Sequence, residues 1–299
     1  MAVVIPYVRE IDIEYGRCDE VGPLIRRVTA NNPGPFTYKG TGTYIVGRGE
    51  VAVIDPGPDM GDHLQAIEAA IPGERVSHIL VTHHHLDHSP LAKPLSERTG
   101  AKVWGRAVAG PIVEDAVKLE AGYDRFTPDI PLIGGEVIEG DGWTFEAIHT
   151  PGHTSNHICY ALRQENALFS GDHIMGWSTT VVTPPDGNMG DYLRSLERVS
   201  ERGFATLWPT HGPPIRDVAP FLEAYAAHRR DRERQILDRL AAGDTRIKVM
   251  VPTMYAAVDP RLHPAAAHSV LAHMIELVNS GRVVADGAPG LESEYRLAG

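Results

Sequence analysis

A chain of 299 residues with 42% apolar and 22% charged residues, near the ordinary values for globular proteins, can bury a substantial core, and that balance does not indicate disorder. Its formal net charge of −11 lies in residues 1–220, because Lys+Arg and Asp+Glu cancel over 221–299. An acidic body of this kind argues against tight nonspecific nucleic-acid binding, which needs Lys and Arg to displace counterions from phosphates. Two cysteines, Cys18 and Cys159, cannot make a disulfide framework. The N-terminus lacks the basic stretch and apolar core of a signal peptide, and no run approaches the roughly 18 apolar residues of a membrane span. A soluble, cytoplasmic protein without membrane contact is expected.

In chain order, Thr43–Val46 and Val51–Ile54 read as short strands, the second stopped by Asp55-Pro56-Gly57-Pro58. Residues 61–71 suit a helix, with Leu64, Ile67 and Ile71 at helical spacing. His78–Val81 reads as a buried strand running into a histidine cluster, followed by a helix over 89–99 and a strand at Ala101–Trp104. Residues 105–140 are broken by Pro and Gly and give no clear pattern. Strands return at Trp143–Ile148, His157–Leu162 and Ala167–Ser170; a helix follows over 190–201, and then a strand at Ala205–Trp208. From about Asp217 the texture becomes helical, with a long helix to Ala242 stopped by Gly243, then helices over 250–258 and 264–280. Val283-Val284 and Tyr295–Leu297 frame an Ala-Pro-Gly turn. Three helices and a β-hairpin form the pattern of a winged helix, so domains over 1–216 and 217–299 are expected.

The chemistry-bearing segments sit at strand ends. If Thr82–Asp87 is extended, His83, His85 and Asp87 share one side and His84 points away. His88, opening the next helix, can swing back into the same cavity. His149-Thr150-Pro151-Gly152-His153, Ser170-Gly171-Asp172-His173 and Thr210-His211-Gly212 repeat the order of strand, turn and ligand type, and supply His153, Asp172 and His211. Imidazole and carboxylate are good ligands for zinc and similar ions. A histidine run alone could be an adventitious metal site; four strand-end segments in one chain make coincidence a poor account. A closed structural zinc site, the non-catalytic alternative, usually uses Cys-rich ligands that are absent here. Asp55 reads as a hydrogen-bonding anchor for the ligand loop rather than a ligand. His84, His149, His157 and His173 read as loop or core residues, and His63, His78, His228, His263, His268 and His273 have no ligand context.

Residues 82–88 match the Thr-His-x-His-x-Asp-His marker of the metallo-β-lactamase-fold hydrolases, and the later ligands of that family match at His153, Asp172 and His211. The resemblance covers about residues 25–215. It implies an α/β fold, a four-layer αββα sandwich with its site at one edge of the two sheets. It also implies two divalent cations, most simply zinc, with iron or manganese compatible with the same ligands. One cation would take His83, His85 and His153, the other Asp87, His88 and His211, with Asp172 bridging them. Hydroxide held between the cations would attack a carbonyl or phosphoryl centre, and Asp87 would orient the nucleophile or relay a proton.

Asn32-Pro33-Gly34-Pro35-Phe36-Thr37, Gly40-Thr41-Gly42-Thr43-Tyr44 and Phe169–Gly176 with Thr179–Val182 are similar to the lactamase-β-like branch, except that Gly42 stands where Asn is common. That branch carries a C-terminal winged-helix-like domain and includes a mitochondrial RNA endonuclease, fungal acyl-carrier thioester hydrolases and relatives with weak β-lactamase activity. The resemblance therefore implies hydrolysis of a small or carrier-bound ester, thioester, lactone or amide, with an endoribonuclease or phosphodiesterase as the alternative. RNA as a partner rests on His228-Arg229-Arg230-Asp231-Arg232-Glu233-Arg234. Yet those arginines can pair with acidic neighbours at helical spacing, and no aromatic residues interleave with them to stack bases.

Overall fold

A computed structural model describes residues 3–108 and 126–299. Of the pattern-poor stretch 105–140, residues 109–125 lie outside the described residues, as do Met1 and Ala2.

The first sheet has seven strands in chain order: β1 (Cys18–Glu20), β2 (Ile25–Thr29), β3 (Gly42–Arg48), β4 (Glu50–Ile54), β5 (Arg75–Leu80), β6 (Lys102–Gly105) and β7 (Ile130–Pro131). β1 to β4 run antiparallel as a meander. From β4 onward the pairing is parallel, which requires crossovers. Helices α1 (Gly61–Ala69) and α2 (Ala92–Thr99) supply the first two. The second sheet has five strands, β8 (Val137–Gly140), β9 (Trp143–His149), β10 (Ile158–Leu162), β11 (Ala167–Gly171) and β12 (Thr206–Pro209). It is antiparallel except for β11–β12, which are parallel and joined through α3 (Met189–Ser200).

Strand alternation decides the layers. Tyr44, Val46, Ala52 and Ile54 face Phe145, Tyr160, Phe169 and Trp208 and form the core between the sheets. Ile45, Val51 and Val53 face the other way, against Leu64, Ile67 and Leu95 of α1 and α2. Cys159, Ala161, Leu168 and Leu207 pack against Tyr192, Leu196 and Val199 of α3 and Phe221, Leu222 and Tyr225 of α4 (Val218–Ala241). The result is the expected αββα sandwich. α4 then leaves this core: its second half, at Ile236 and Leu240, packs with α5 (Ile247–Met254), α6 (His263–Asn279) and the hairpin β13 (Val283–Ala285) and β14 (Tyr295–Leu297). These elements make the winged helix, and α4 is common to both cores.

Several elements differ from the sequence expectation. β1, β2, β7 and β8 were not foreseen. β2 carries two arginines, and both are buried: Arg26 pairs with Glu74 at 2.7 Å and donates to the carbonyls of Ala70 and Gly47. The helix expected over 250–258 lies at Ile247–Met254, ending before the turn at 255–257. The ligand run is not an extension of its strand: β5 stops at Leu80, residues 86–88 form a turn, and α2 begins only at Ala92, so His88 does not open a helix.

Candidate metal centre

The site lies where β5, β9, β11 and β12 end. At this edge the sheets are stitched together by backbone and phenol hydrogen bonds. Ile158 N–H donates to Thr82 O (2.8 Å), Gly42 N–H to Thr210 O (2.8 Å), and the Tyr160 hydroxyl to Val81 O (2.8 Å).

Asp55 is the hub. It follows β4 in a left-handed conformation (φ 47°) and is fully buried. Its Oδ1 accepts from Thr82 N–H (2.8 Å). Its Oδ2 accepts from the Thr82 hydroxyl (2.8 Å), the Thr210 hydroxyl (2.9 Å) and Nδ1 of His88 (2.8 Å). The anchoring role read from the sequence is thus met. The partners Thr82 and Thr210 were not singled out beforehand, although each immediately precedes a ligand-type histidine, and that repetition is the signal that would have found them. Within the run, turn hydrogen bonds from His88 N–H and Ser89 N–H to His85 O (3.0 and 3.1 Å) bend the chain so that His88 returns toward His83.

All seven predicted residues converge. Nε2 of His83 lies 2.9 Å from Nδ1 of His85, which lies 3.2 Å from Nε2 of His153. Nε2 of His211 lies 3.1 Å from Oδ2 of Asp87 and 3.5 Å from Oδ1 of Asp172. Nε2 of His88 lies 3.6 Å from Asp87 and 3.5 Å from Asp172. The donor atoms of His83, His85 and His153 lie within 4.8 Å of one another, as do those of Asp87, His88 and His211 and those of His83, His88 and Asp172. Asp172 also comes within 3.9 Å of His153, so it stands between the two triads. Six of the seven are buried, and Asp87 is a quarter exposed.

The donor set fits metal ions. Nε2 of His88, Nε2 of His211 and Oδ1 of Asp172 are buried without a hydrogen-bond partner, a costly arrangement unless an ion completes it. Burial, and then the neighbouring imidazoles His88, His85 and His153, push His83 well below the ordinary histidine range. Burial likewise lowers His85 and His153. These three are therefore neutral, with lone pairs to offer. For His88 and His211 burial opposes protonation, but Asp87 and Asp172 outweigh it, raising His88 well above its usual value and His211 to about 10. The carboxylates of Asp87 and Asp172 are held low by these same histidines against the opposing effect of burial.

Two of the histidines read as non-ligands, His84 and His157, have other partners. Nδ1 of His84 lies 2.8 Å from Oδ1 of Asn156, and Nδ1 of His157 lies 2.8 Å from the Thr150 hydroxyl, while its Nε2 accepts from Asp172 N–H at 3.2 Å. Nδ1 of His153 donates to Val181 O (2.7 Å), a contact from a distant loop that sequence spacing could not suggest. Leu86 points outward, 42% exposed, at the tip of the ligand loop.

A two-sheet sandwich flanked by helices, with a buried His/Asp donor set on loops at one edge, defines a metallohydrolase. Residues 38–211 match the metallo-beta-lactamase superfamily and residues 247–291 the beta-lactamase associated winged helix domain. The chain belongs to the metallo-beta-lactamase superfamily. A protein named atrochrysone carboxyl ACP thioesterase from Aspergillus chevalieri is 34% identical over 224 residues, 74% of this chain and 67% of the relative. A lactamase-like protein from Aspergillus niger is 27% identical over 291 residues, covering 91% and 85%. Among solved structures, a beta-lactamase domain protein from Burkholderia ambifaria shares the fold with a TM-score of 0.80 at 22% identity, over 98% of this chain and 97% of that one.

Proposed function

We propose that this protein is a dinuclear zinc hydrolase acting on a small or carrier-bound acyl substrate, with a thioester as the first candidate. The observation that carries the reading is the pair of donor triads meeting at Asp172, with three buried donor atoms that make no hydrogen bond and meet only one another and Asp87. His83, His85 and His153 would hold one ion, Asp87, His88 and His211 the other, and Asp172 would bridge them. Such ions, when bound, would supply hydroxide from water near neutral pH and would polarise an acyl oxygen. The chain's own part is positional. Asp55 fixes the Nδ1 proton of His88, so that Nε2 presents a lone pair, and Val181 O does the same for His153. Asp87, the partly exposed carboxylate of the set, is placed to orient the nucleophile or relay its proton.

Relatives named as acyl-carrier thioesterases, 34% and 32% identical, support the acyl reading. The arginine run of the tail supports it too. Arg229 donates to Thr180 O, Arg232 to Met254 O and Gln235, and Arg234 pairs with Asp231. With most of the run spent on intramolecular partners, little of it is left for an RNA backbone. Both cysteines are free and Cys159 is buried, in keeping with a cytoplasmic setting. Among the described residues, no helix is long and apolar enough to cross a membrane.

A single panel of thioester, lactone, nitrocefin-type lactam, phosphodiester and single-stranded RNA, run on protein of measured metal content, tests the proposal. Turnover of acyl substrates in proportion to zinc content is expected. Cleavage of RNA or phosphodiester alone would replace it with the nuclease reading, and acyl turnover by metal-free protein would overturn the mechanism.

A further inference from the structure

A buried arginine must find acceptors, and where it finds them shows what it holds in place. Arg229 of α4 is 3% exposed. Its Nη2 donates to Thr180 O, and its guanidinium lies over the ring of Tyr192, 4.9 Å from the centroid. One turn earlier on the same helix, the fully buried Tyr225 hydroxyl accepts from Thr180 N–H (2.7 Å) and donates to Ser178 O (3.0 Å). Both backbone groups of Thr180 are therefore held by α4.

Thr180 sits between two members of the donor set. Its hydroxyl bonds to the carbonyls of Asp172 and His173 (2.9 Å each), and the Tyr192 hydroxyl also donates to His173 O (2.9 Å). The next residue, Val181, presents the carbonyl that accepts the Nδ1 proton of His153. A displacement of Thr180 would move the acceptor that sets the tautomer and ring angle of His153. It would also free the backbone that carries Asp172.

We infer that Tyr225 and Arg229 are positioning residues for the metal centre, so that α4 belongs to the active-site scaffold as well as to the winged helix. The inference rests on the proposed ligand roles of His153 and Asp172, but its geometry does not depend on a metal being bound. Partners of ligating histidines typically change metal affinity about 10–100-fold when removed, and these two act one peptide further out.

The test uses the full chain with Tyr225→Phe, Arg229→Gln, Arg229→Lys and, as a control on the same helix, the exposed Arg230→Gln. Zinc affinity is read by competition with a chromophoric chelator. The Nδ1 proton of His153 is read by nitrogen–proton correlation spectra of histidine-labelled, metal-free protein. Tyr225→Phe and Arg229→Gln should weaken zinc binding about 10-fold and shift or broaden the His153 signal. Arg229→Lys, which keeps a donor, should recover much of both, and Arg230→Gln should match wild type. Folded Tyr225→Phe and Arg229→Gln proteins with an unchanged His153 signal and wild-type zinc affinity would overturn the inference. If Arg229→Gln does not fold, Tyr225→Phe decides. Wild type that takes up no zinc would refute the metal reading, while the His153 signal would still decide the role of α4.

Discussion

Replacing Asp55 with asparagine separates holding the loop from setting the chemistry of a ligand. The carboxylate accepts four hydrogen bonds, one at Oδ1 and three at Oδ2. Asparagine tolerates the left-handed backbone at this position (φ 47°) better than most residues. Its Oδ1 can keep the bond from Thr82 N–H, but an NH2 group then faces three former donors. The two threonine hydroxyls can rotate and accept. His88 can accept at Nδ1 only by moving its proton to Nε2, the nitrogen that faces Asp87 and Asp172. The expected cost in stability is modest, about 1–3 kcal/mol for one unmade bond to a charged group, or a few degrees in melting temperature. The expected cost in metal is larger, with the Asp87/His88/His211 subsite weakened about 100-fold while the His83/His85/His153 subsite still fills. Asp55→Ala should instead unfold readily, because it leaves the Thr82 N–H and its neighbours without an acceptor, at roughly 3–6 kcal/mol. Calorimetric zinc titration of Asp55→Asn, beside its melting curve, checks this. Two equivalents bound with wild-type affinity would refute the tautomer argument.

Asp172→Ala should lose metal at both subsites and all hydrolysis, as read by elemental analysis and turnover; one tightly held equivalent would show that Asp172 does not bridge. Gly152→Ala should disrupt the His153 loop, because the backbone there has φ 138° and a Cβ would lie 2.3 Å from Cα of Tyr192 in α3. A loss of 3 kcal/mol or more, estimated by analogy with other severe backbone and packing defects, should appear as low soluble yield and weak metal binding. Zinc uptake by the metal-free protein near neutral pH should release protons, since His88 is raised well above its ordinary value and His211 to about 10. Calorimetry in buffers of different ionisation enthalpy measures the release, and the His211 share should vanish as pH rises through about 10. His63, buried against the Thr43 hydroxyl and lowered by burial to about 4, should cost stability in acid. The unfolded chain takes up this proton below about pH 6.5 while the folded one does not until about pH 4, so stability falls across that window. The difference between wild type and His63→Gln should change by roughly 2–3 kcal/mol between pH 7 and 4.5; a flat difference in denaturant titrations would refute it.

The ligands were legible because the four segments that carry them each come within a few residues of a strand end, and a strand end is a feature of local sequence. His83, His153, Asp172 and His211 trail β5, β9, β11 and β12, and Gly152 and Gly171 make the turns into His153 and Asp172. What was not legible was how the donors are held. The alternation expected over 83–87 does bring His83 and His85 together and sends His84 to Asn156, but the chain turns at 86–88, where bonds to His85 O and the Asp55 hub return His88 to the site. β2 has no simple apolar alternation, since it carries Arg26 and Arg27, and burial of Arg26 is made tolerable by Glu74 and two carbonyls distant in sequence. The arginines of the tail misled in the same way. Their spacing on α4 fitted a charged, solvated face, yet Arg229 is buried because Thr180, 49 residues earlier, offers its carbonyl. In each case the charge was visible in the sequence and its partner was not, since partners are chosen by the packing of layers rather than by local pattern. Donor identity can therefore be read from motifs in a fold of this kind, whereas the protonation and aim of those donors depend on residues that no motif contains.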